Sequence, residues 1–130
     1  MQNKITIISV TLNAKSELIK TIESVQYQTY RNFEHIIKDA NSTDGTREIN
    51  FNEFENTFFY SVEDNGIYDG MNKGYSLANG DFIMFLNAGD TLFDENVLML
   101  INKKFTENPS SSCLIGYTAQ INYKNISKFK

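Results

Sequence analysis

The chain has 130 residues, enough for one domain with its own core. Hydrophobic residues make up 41% and charged residues 22%, the balance of a globular rather than a disordered chain. A formal net charge of −4 leaves no basic footprint for nucleic acid, and no apolar run approaches the ~20 residues of a membrane span.

Ile5-Thr6-Ile7-Ile8-Ser9-Val10 is short and β-branched, which predicts a strand, and Thr11-Leu12-Asn13 reads as the loop leaving it. Ser16 is placed to cap a helix, with Leu18, Ile19, Ile22 and Val25 at helical spacing behind it. Glu34-His35-Ile36-Ile37-Lys38 predicts a second strand, begun by Phe33, that runs into the turn-rich loop Asp39–Thr46. A short helix is expected over Arg47–Glu55 and a third strand over Thr57–Val62. Ile67, Met71, Tyr75 and Ala78 fall on one face of a helix, and Asn79-Gly80 closes it. Phe82–Asn87 reads as a buried strand ending in the polar turn Asn87-Ala88-Gly89-Asp90. Asp94 or Asn96 opens a last helix, with Val97, Leu98, Ile101 and Phe105 inward and Pro109 after it. Cys113–Tyr123 is strand-like, and the basic tail Lys124–Lys130 is expected to fray.

Strands alternating with helices predict an α/β fold with a mostly parallel, doubly wound sheet. No repeat, low-complexity segment or linker divides the chain, so residues 1–130 are expected to form a single domain. Cys113 is the single cysteine; an intrachain disulfide is excluded, and a buried small hydrophobe is expected. No signal-peptide pattern follows Met1, which predicts a cytoplasmic protein, with peripheral contact at the inner face of the membrane left open.

The polar clusters follow the first strand (Thr11, Asn13), the second (Asp39–Thr46), the third (Asp64–Gly66) and the fourth (Asn87–Asp90). In a parallel sheet these loops share the carboxyl edge, where such sheets bind ligands. Asp39 directly follows a strand: its carboxylate either accepts from a base ring N–H or ribose hydroxyls, or anchors an Asx turn. Ser42–Thr46 reads as capping and turn structure, and the chain has no Gly-x-x-x-x-Gly-Lys phosphate loop. Asp90 either binds a hard cation, Mg²⁺ or Mn²⁺, together with diphosphate oxygens, or stabilises a turn. Asn87 suits ribose or sugar hydroxyls. Lys73, beside Asn72 on the helix after Gly66, either offsets diphosphate charge or lies on a solvated face. His35, inside a strand, is expected to be structural. An acidic chain that binds a diphosphate is expected to need a cation against the repulsion.

Together these segments resemble the amino-terminal half of family 2 glycosyltransferases of the GT-A fold. The matching stretches are Ile5–Asn13, Thr21-Ile22-Glu23-Ser24-Val25 with Gln28-Thr29-Tyr30, Ile36–Asp39, Asn41–Thr46, Asp64–Gly74 and Gly80–Asp90, in family order over residues ~4–105. Gly66-Ile67-Tyr68-Asp69-Gly70-Met71-Asn72-Lys73-Gly74 is similar to bacterial surface-polysaccharide transferases of the colanic-acid and O-antigen type. The resemblance implies transfer of a sugar from a nucleotide-diphosphate sugar donor to a saccharide or lipid-linked saccharide acceptor, with inversion. It implies a nucleotide-sugar site of Val10, Thr11, Leu12, Asp39, Asn87 and Ala88, with Asp90 as metal ligand; Asn72 and Lys73, on the helix after Gly66, are expected to join the nucleotide-sugar site. Ala40 stands where many members carry a second acid, and Asn87 and Gly89 replace the two other acids of the Asp-x-Asp region. The family's general base lies in an acceptor half further along, and neither Asp94, Glu95 nor Glu107 matches it. The acceptor half is therefore expected to be missing, and self-association through an uncovered apolar face is expected. The alternative is a non-catalytic nucleotide-sugar-binding or assembly module.

Overall fold

A computed structural model describes residues 2–116, 118–121 and 126–129, the last two stretches by backbone alone. The strands are β1 (Ile5–Thr11), β2 (Phe33–Asp39), β3 (Thr57–Ser61) and β4 (Phe82–Phe85), and the helices are α1 (Lys15–Gln26), α2 (Ile67–Tyr75) and α3 (Val97–Glu107). All four strands are parallel, in the order β3-β2-β1-β4. A separate antiparallel pair joins β5 (Thr118–Ile121) to β6 (Ile126–Phe129).

The central strand, β1, is buried along its whole length. In register, Ile5 and Ile7 stand beside Phe33 and His35 of β2 and beside Phe82 and Met84 of β4, on one sheet face. That face is covered by α1 and α3: Val25, Leu92 and Leu98 join Ile5, Ile7, Phe33 and Leu86, while Leu18 and Ile22 close on Ile37. The other face carries Ile8, Val10, Ile36 and Lys38, and α2 lies across it on β1 and β2. Helices on both faces make the sheet doubly wound, as the alternating sequence predicts.

The register of α2 differs from its apolar pattern. Ile67 and Tyr75 are exposed, and the residues buried against the sheet are Gly70 and Gly74. A Cβ at Gly74 would stand 2.6 Å from Ile8 Cγ2, so the helix lies too close to the sheet for any side chain there. Flanking α2 on this face, Phe58 and Tyr60 of β3 and Phe85 of β4 remain exposed. The strand expected to be buried, Phe82–Asn87, is therefore a half-buried edge, with Phe85 43% exposed. Its regular part ends at Phe85, although Leu86 and Ala88 still donate to the carbonyls of Ile8 and Val10.

Other departures are local. Residues 46–53 form two single 3₁₀ turns, Thr46–Glu48 and Phe51–Glu53, instead of one helix; Phe51 and Phe54 are drawn onto the core around Ile37, with Phe51 stacked on Phe59. The α1 cap comes from a distant loop: the Lys15 N–H donates to the Asp44 carboxylate at 2.9 Å, and Ser16 caps nothing. Beyond Pro109, residues 111–116 have no regular structure and are exposed, so Cys113 faces solvent instead of filling the core. The strand expected over Cys113–Tyr123 is regular only from Thr118 to Ile121, and part of the tail read as frayed forms β6; Tyr117, residues 122–125 and Lys130 lie outside the described residues.

The close approach of α2 is open to test by overpacking. Gly74→Ala places a methyl against Ile8 and is expected to cost ~1–3 kcal/mol, read from urea unfolding. An unchanged midpoint would contradict the packing described.

Candidate functional site

β1 pairs with β2 on one side and β4 on the other, so the chain winds outward in both directions from β1. The crevice beyond the carboxyl ends of β1 and β4 is the switch point of the sheet, the place where open parallel sheets bind ligands. Four loops border it: 11–13, 39–46, 61–66 and 87–90.

Hydrogen bonds stitch these loops together. The Ala40 N–H donates to the Thr11 carbonyl, the Asn13 N–H to Ser42 Oγ at 2.8 Å, and the Thr43 N–H to Asn13 Oδ1 at 2.8 Å. Asn13 and Asn41 adopt positive φ (49° and 63°), a conformation that asparagine tolerates. Asp44 accepts from the Thr46 hydroxyl and N–H, and from Lys15 N–H; the Thr46 hydroxyl leads in holding its carboxyl below the usual range.

Asp39 is fully buried at the end of β2. Oδ2 accepts from the Ser42 N–H (2.9 Å) and the Ser61 hydroxyl (2.7 Å), and Oδ1 accepts from the Ser42 hydroxyl. The carboxylate thus anchors a turn. A carboxylate has about four acceptor positions, so one remains on Oδ1.

Lys38, one residue earlier, escaped the sequence reading. Its side chain is 1% exposed, and its three donors are all used: on the Asp39 carbonyl (2.9 Å), the Val62 carbonyl (2.7 Å) and Asp64 Oδ2 (2.9 Å). Asp64 Oδ1 in turn accepts from the Gly66 N–H at the start of α2. A charged residue in a strand buried on both faces was the available signal: such a charge has to find a partner.

The fourth loop is a β-turn. The Asp90 N–H donates to the Asn87 carbonyl at 2.9 Å, and Gly89, third in the turn, has φ +101°. That angle is costly for any residue with a Cβ, which explains a glycine where an acid was looked for. Asp90 is exposed, and its carboxylate takes no hydrogen bond among the described residues.

Three buried side-chain polar atoms lack a partner among the described residues: Thr11 Oγ1, Asn87 Oδ1 and His35 Nδ1. The first two end β1 and open the loop after β4, one on each side of the switch point. Buried polar atoms left unpaired are costly unless something completes them. The third belongs to a relay inside the sheet. Ser9 Oγ donates to the Leu86 carbonyl at 2.5 Å, so the 2.7 Å contact to His35 Nε2 is donated by the imidazole. His35 is thus neutral, with Nδ1 a bare acceptor, and burial pushes its pKa down to about 3. It is structural, as its place inside a strand suggests.

The structure brings Val10, Thr11, Asp39, Asn87, Ala88 and Asp90 to one edge: Thr11 pairs with Asp39 in register, and the Ala88 N–H donates to the Val10 carbonyl. Leu12 stands at the rim, 58% exposed. Asn72 is exposed farther along α2. Lys73 reaches back to the rim, where the Glu63 carbonyl (2.8 Å) and Asp69 (3.1 Å) hold its ammonium, so its charge is already paired. No group of three or more His, Cys, Asp or Glu side chains gathers to hold a metal among the described residues. At the turn, the Asp90 carboxylate would be a hard cation's one side-chain ligand, with ligand oxygens and water completing its shell. A shallow hollow lined by Asn13, Lys15, Ser16, Glu17, Ile19 and Asp44 lies beside the start of α1 and takes nothing from the Asn87–Asp90 turn.

A parallel α/β sheet with polar loops gathered at its switch point is the architecture of many ligand-binding α/β domains, and comparison narrows the class. The family model "Glycosyl transferase family 2" matches residues 6–129, and the chain belongs to that family. It is similar to a PGL/p-HBAD biosynthesis glycosyltransferase of Mycobacterium bovis (34% identity over 115 residues) and to glycosyltransferase GlyA of Streptococcus pneumoniae (29% over 106 residues). These alignments cover 85% and 79% of the chain but 44% and 15% of the relatives, so the chain spans less than half of either. Among solved structures, S. aureus TarS 1–349 in complex with UDP-GlcNAc superposes with TM-score 0.75 at 21% identity, over 82% of this chain and 32% of that one. Mannosyltransferase PcManGT from Pyrobaculum calidifontis, in complex with GDP-Man and Mn²⁺, gives 0.73 at 21%, over 85% and 34%. The fold is that of the GT-A transferases.

The relay gives a pH prediction. His35 has a folded pKa (about 3) below its ordinary 6.5, so as pH falls the unfolded chain takes up the proton first. The stability this contributes is complete above about pH 6.5 and is lost toward pH 3, by at most ~1.4 kcal/mol per unit. Urea midpoints measured between about pH 7 and 5, above the carboxylate range, should fall for the wild type and flatten for His35→Gln. Equal slopes would contradict a neutral, buried His35.

Proposed function

We propose that this chain supplies the donor-binding part of an inverting glycosyltransferase. The enzyme moves a sugar from a nucleotide-diphosphate sugar to a hydroxyl of a saccharide or lipid-linked saccharide acceptor, in bacterial surface-polysaccharide synthesis. The observation that carries the reading is the pair of unpartnered atoms, Thr11 Oγ1 and Asn87 Oδ1, beside the free carboxylate of Asp90 at the switch point. The named ligands of the two fold neighbours, UDP-GlcNAc and GDP-Man with Mn²⁺, support the same class of donor.

The assignments follow from the chemistry of each group. The last acceptor position on Asp39 Oδ1 takes a base ring N–H. Val10, Thr11 and Leu12 form the bed beneath the nucleoside, and the Thr11 hydroxyl and Asn87 amide oxygen bond its ribose. Ala88 closes the bed beside Val10. Asn72 and Lys73 lie on the diphosphate side. Lys73 is already neutralised by Asp69, so most of the diphosphate charge falls to a divalent cation at Asp90. Asp90 would hold the Mg²⁺ or Mn²⁺, which when bound would supply Lewis-acid stabilisation of the charge on the departing diphosphate. In the displacement, the acceptor oxygen forms a bond to the anomeric carbon as the bond to the diphosphate oxygen breaks on the opposite face. The acceptor proton passes to a general base that is not among the residues assigned here. A cytoplasmic donor and a lipid-linked acceptor would meet at the inner face of the membrane; no helix among the described residues is long and apolar enough to cross it.

A thermal-shift series tests the reading. UDP or GDP with Mn²⁺ is expected to raise Tm, by ~2.7 kcal/mol of added stability at about a hundred times Kd. EDTA should weaken the shift, and Asp39→Ala should abolish it. If no nucleoside diphosphate stabilises the folded chain with Mn²⁺ present, the reading is wrong.

A further inference from the structure

The segment Thr21–Tyr30 carries part of the family resemblance, and the donor site has not absorbed it. In the structure its polar residues, at helical spacing on α1 and just past its end, hold the chain that follows β4. The Ser24 hydroxyl accepts from the Leu92 N–H at 3.2 Å. Gln28 donates to the Asp94 carbonyl (2.5 Å) and accepts from the Leu98 N–H (3.0 Å), and Thr29 donates to the Glu95 carbonyl. These contacts hold backbone that carries none of the assigned groups. Thr21 differs, because it reaches the turn that ends in Asp90.

Thr21 is fully buried. Its oxygen accepts from the Gly89 N–H at 3.0 Å and lies 2.8 Å from the Asp90 carbonyl and 3.2 Å from the Glu17 carbonyl. A hydroxyl has one hydrogen, and the shorter contact gives it to Asp90. The peptide before Gly89 and the peptide after Asp90 are thus tied to one atom. The peptide between them is tied to Asn87 through the turn. Every peptide group around the Asp90 Cα is fixed, while the carboxylate itself takes no hydrogen bond among the described residues. The start of that side chain, its Cα–Cβ bond, is therefore set by the backbone, which Thr21 ties on both sides, and only its rotamers are left for a ligand to select.

We propose that Thr21 is a positioning residue for donor binding: from α1 its hydroxyl fixes the Gly89–Asp90 backbone and so keeps the Asp90 side chain rooted within reach of the metal-diphosphate position. This rests on the donor-binding reading above, and it assigns a role in that reading to a helix outside the crevice.

The test compares Thr21→Val and Thr21→Ser with Val25→Ala, a core truncation on the same helix that touches no polar group of the turn. Calorimetry uses UDP with Mn²⁺ and UDP with EDTA; hydrogen exchange follows the Gly89 amide in the ligand-free chain. Thr21→Val should weaken UDP binding with Mn²⁺ about tenfold or more and move binding in EDTA less than about twofold. Thr21→Ser should stay near wild type, and Val25→Ala should lower Tm with the Mn²⁺-supported Kd unchanged. Equal losses in Thr21→Val and Val25→Ala, or no loss in Thr21→Val, would overturn the proposal. If Thr21→Val does not fold, the wild-type Gly89 amide decides: slow exchange at this exposed turn supports the brace, and exchange at the rate of an unstructured glycine overturns it. If wild-type chain binds no UDP at all, the donor-binding reading falls separately, and the exchange result still judges the brace.

Discussion

β1 has no free side. It is hydrogen-bonded along both edges, by β2 and β4, and covered on both faces, by α1 with α3 and by α2. Its residues can meet a ligand only at an end of the strand, and at the carboxyl end the polar loops gather where the strand order reverses. The rest of the domain follows from that confinement. The flanking strands must deliver their polar loops to the same edge, and α2 must lie close enough to seal the second face, which glycines at positions 70 and 74 permit.

Charge inside such a sheet is tolerated only when it is fully paired. The Lys38 ammonium has its three acceptors in the Asp39 and Val62 carbonyls and the Asp64 carboxylate. Removing one member of a buried pair of this kind costs about 3–5 kcal/mol, whereas replacing both with apolar groups of similar volume is often neutral. The pair therefore need not be a net source of stability. Its geometric effect is to tie the ends of β2 and β3 to the start of α2, so that the Asp39 turn and the 61–66 loop keep a fixed spacing. Asp39 contributes in the same way, since three of its acceptor positions are spent on Ser42 and Ser61 before any ligand arrives.

Much of this was legible in the sequence, for definite reasons. Short β-branched runs at Ile5–Val10 and Ile36–Ile37, each followed by turn-forming polar residues, mark strands that end at a site. What local pattern cannot carry is which side of an element lies closest to its neighbour. In α2 the apolar spacing of Ile67, Met71 and Tyr75 points to one face, but the sheet accepts only the glycine face. Phe82–Asn87 reads as buried because it is apolar, yet it is an edge strand with α2 displaced toward β1 and β2. Cys113 reads as core by residue type, but lies past Pro109 in a stretch with no element to bury it. In the site, the loops and their order were legible, while Lys38, Ser61 and Thr21 were not, because each acts on a partner at least 22 residues away. Gly89 could be read as a lost acid until its positive φ showed a turn that needs it.

On the proposed function, a nucleotide-sugar donor would lie over the crevice between β1 and β4, with its cation at the Asn87–Asp90 turn. Amide shifts of the isotope-labelled chain titrated with UDP, first with Mg²⁺ and then with traces of Mn²⁺, test it most directly. The account predicts saturable shifts in residues 10–13, 39–42, 61–66 and 87–90, with paramagnetic broadening centred on Asp90. Shifts and broadening centred elsewhere, such as the hollow at the start of α1 or the amino edge of the sheet, would contradict it.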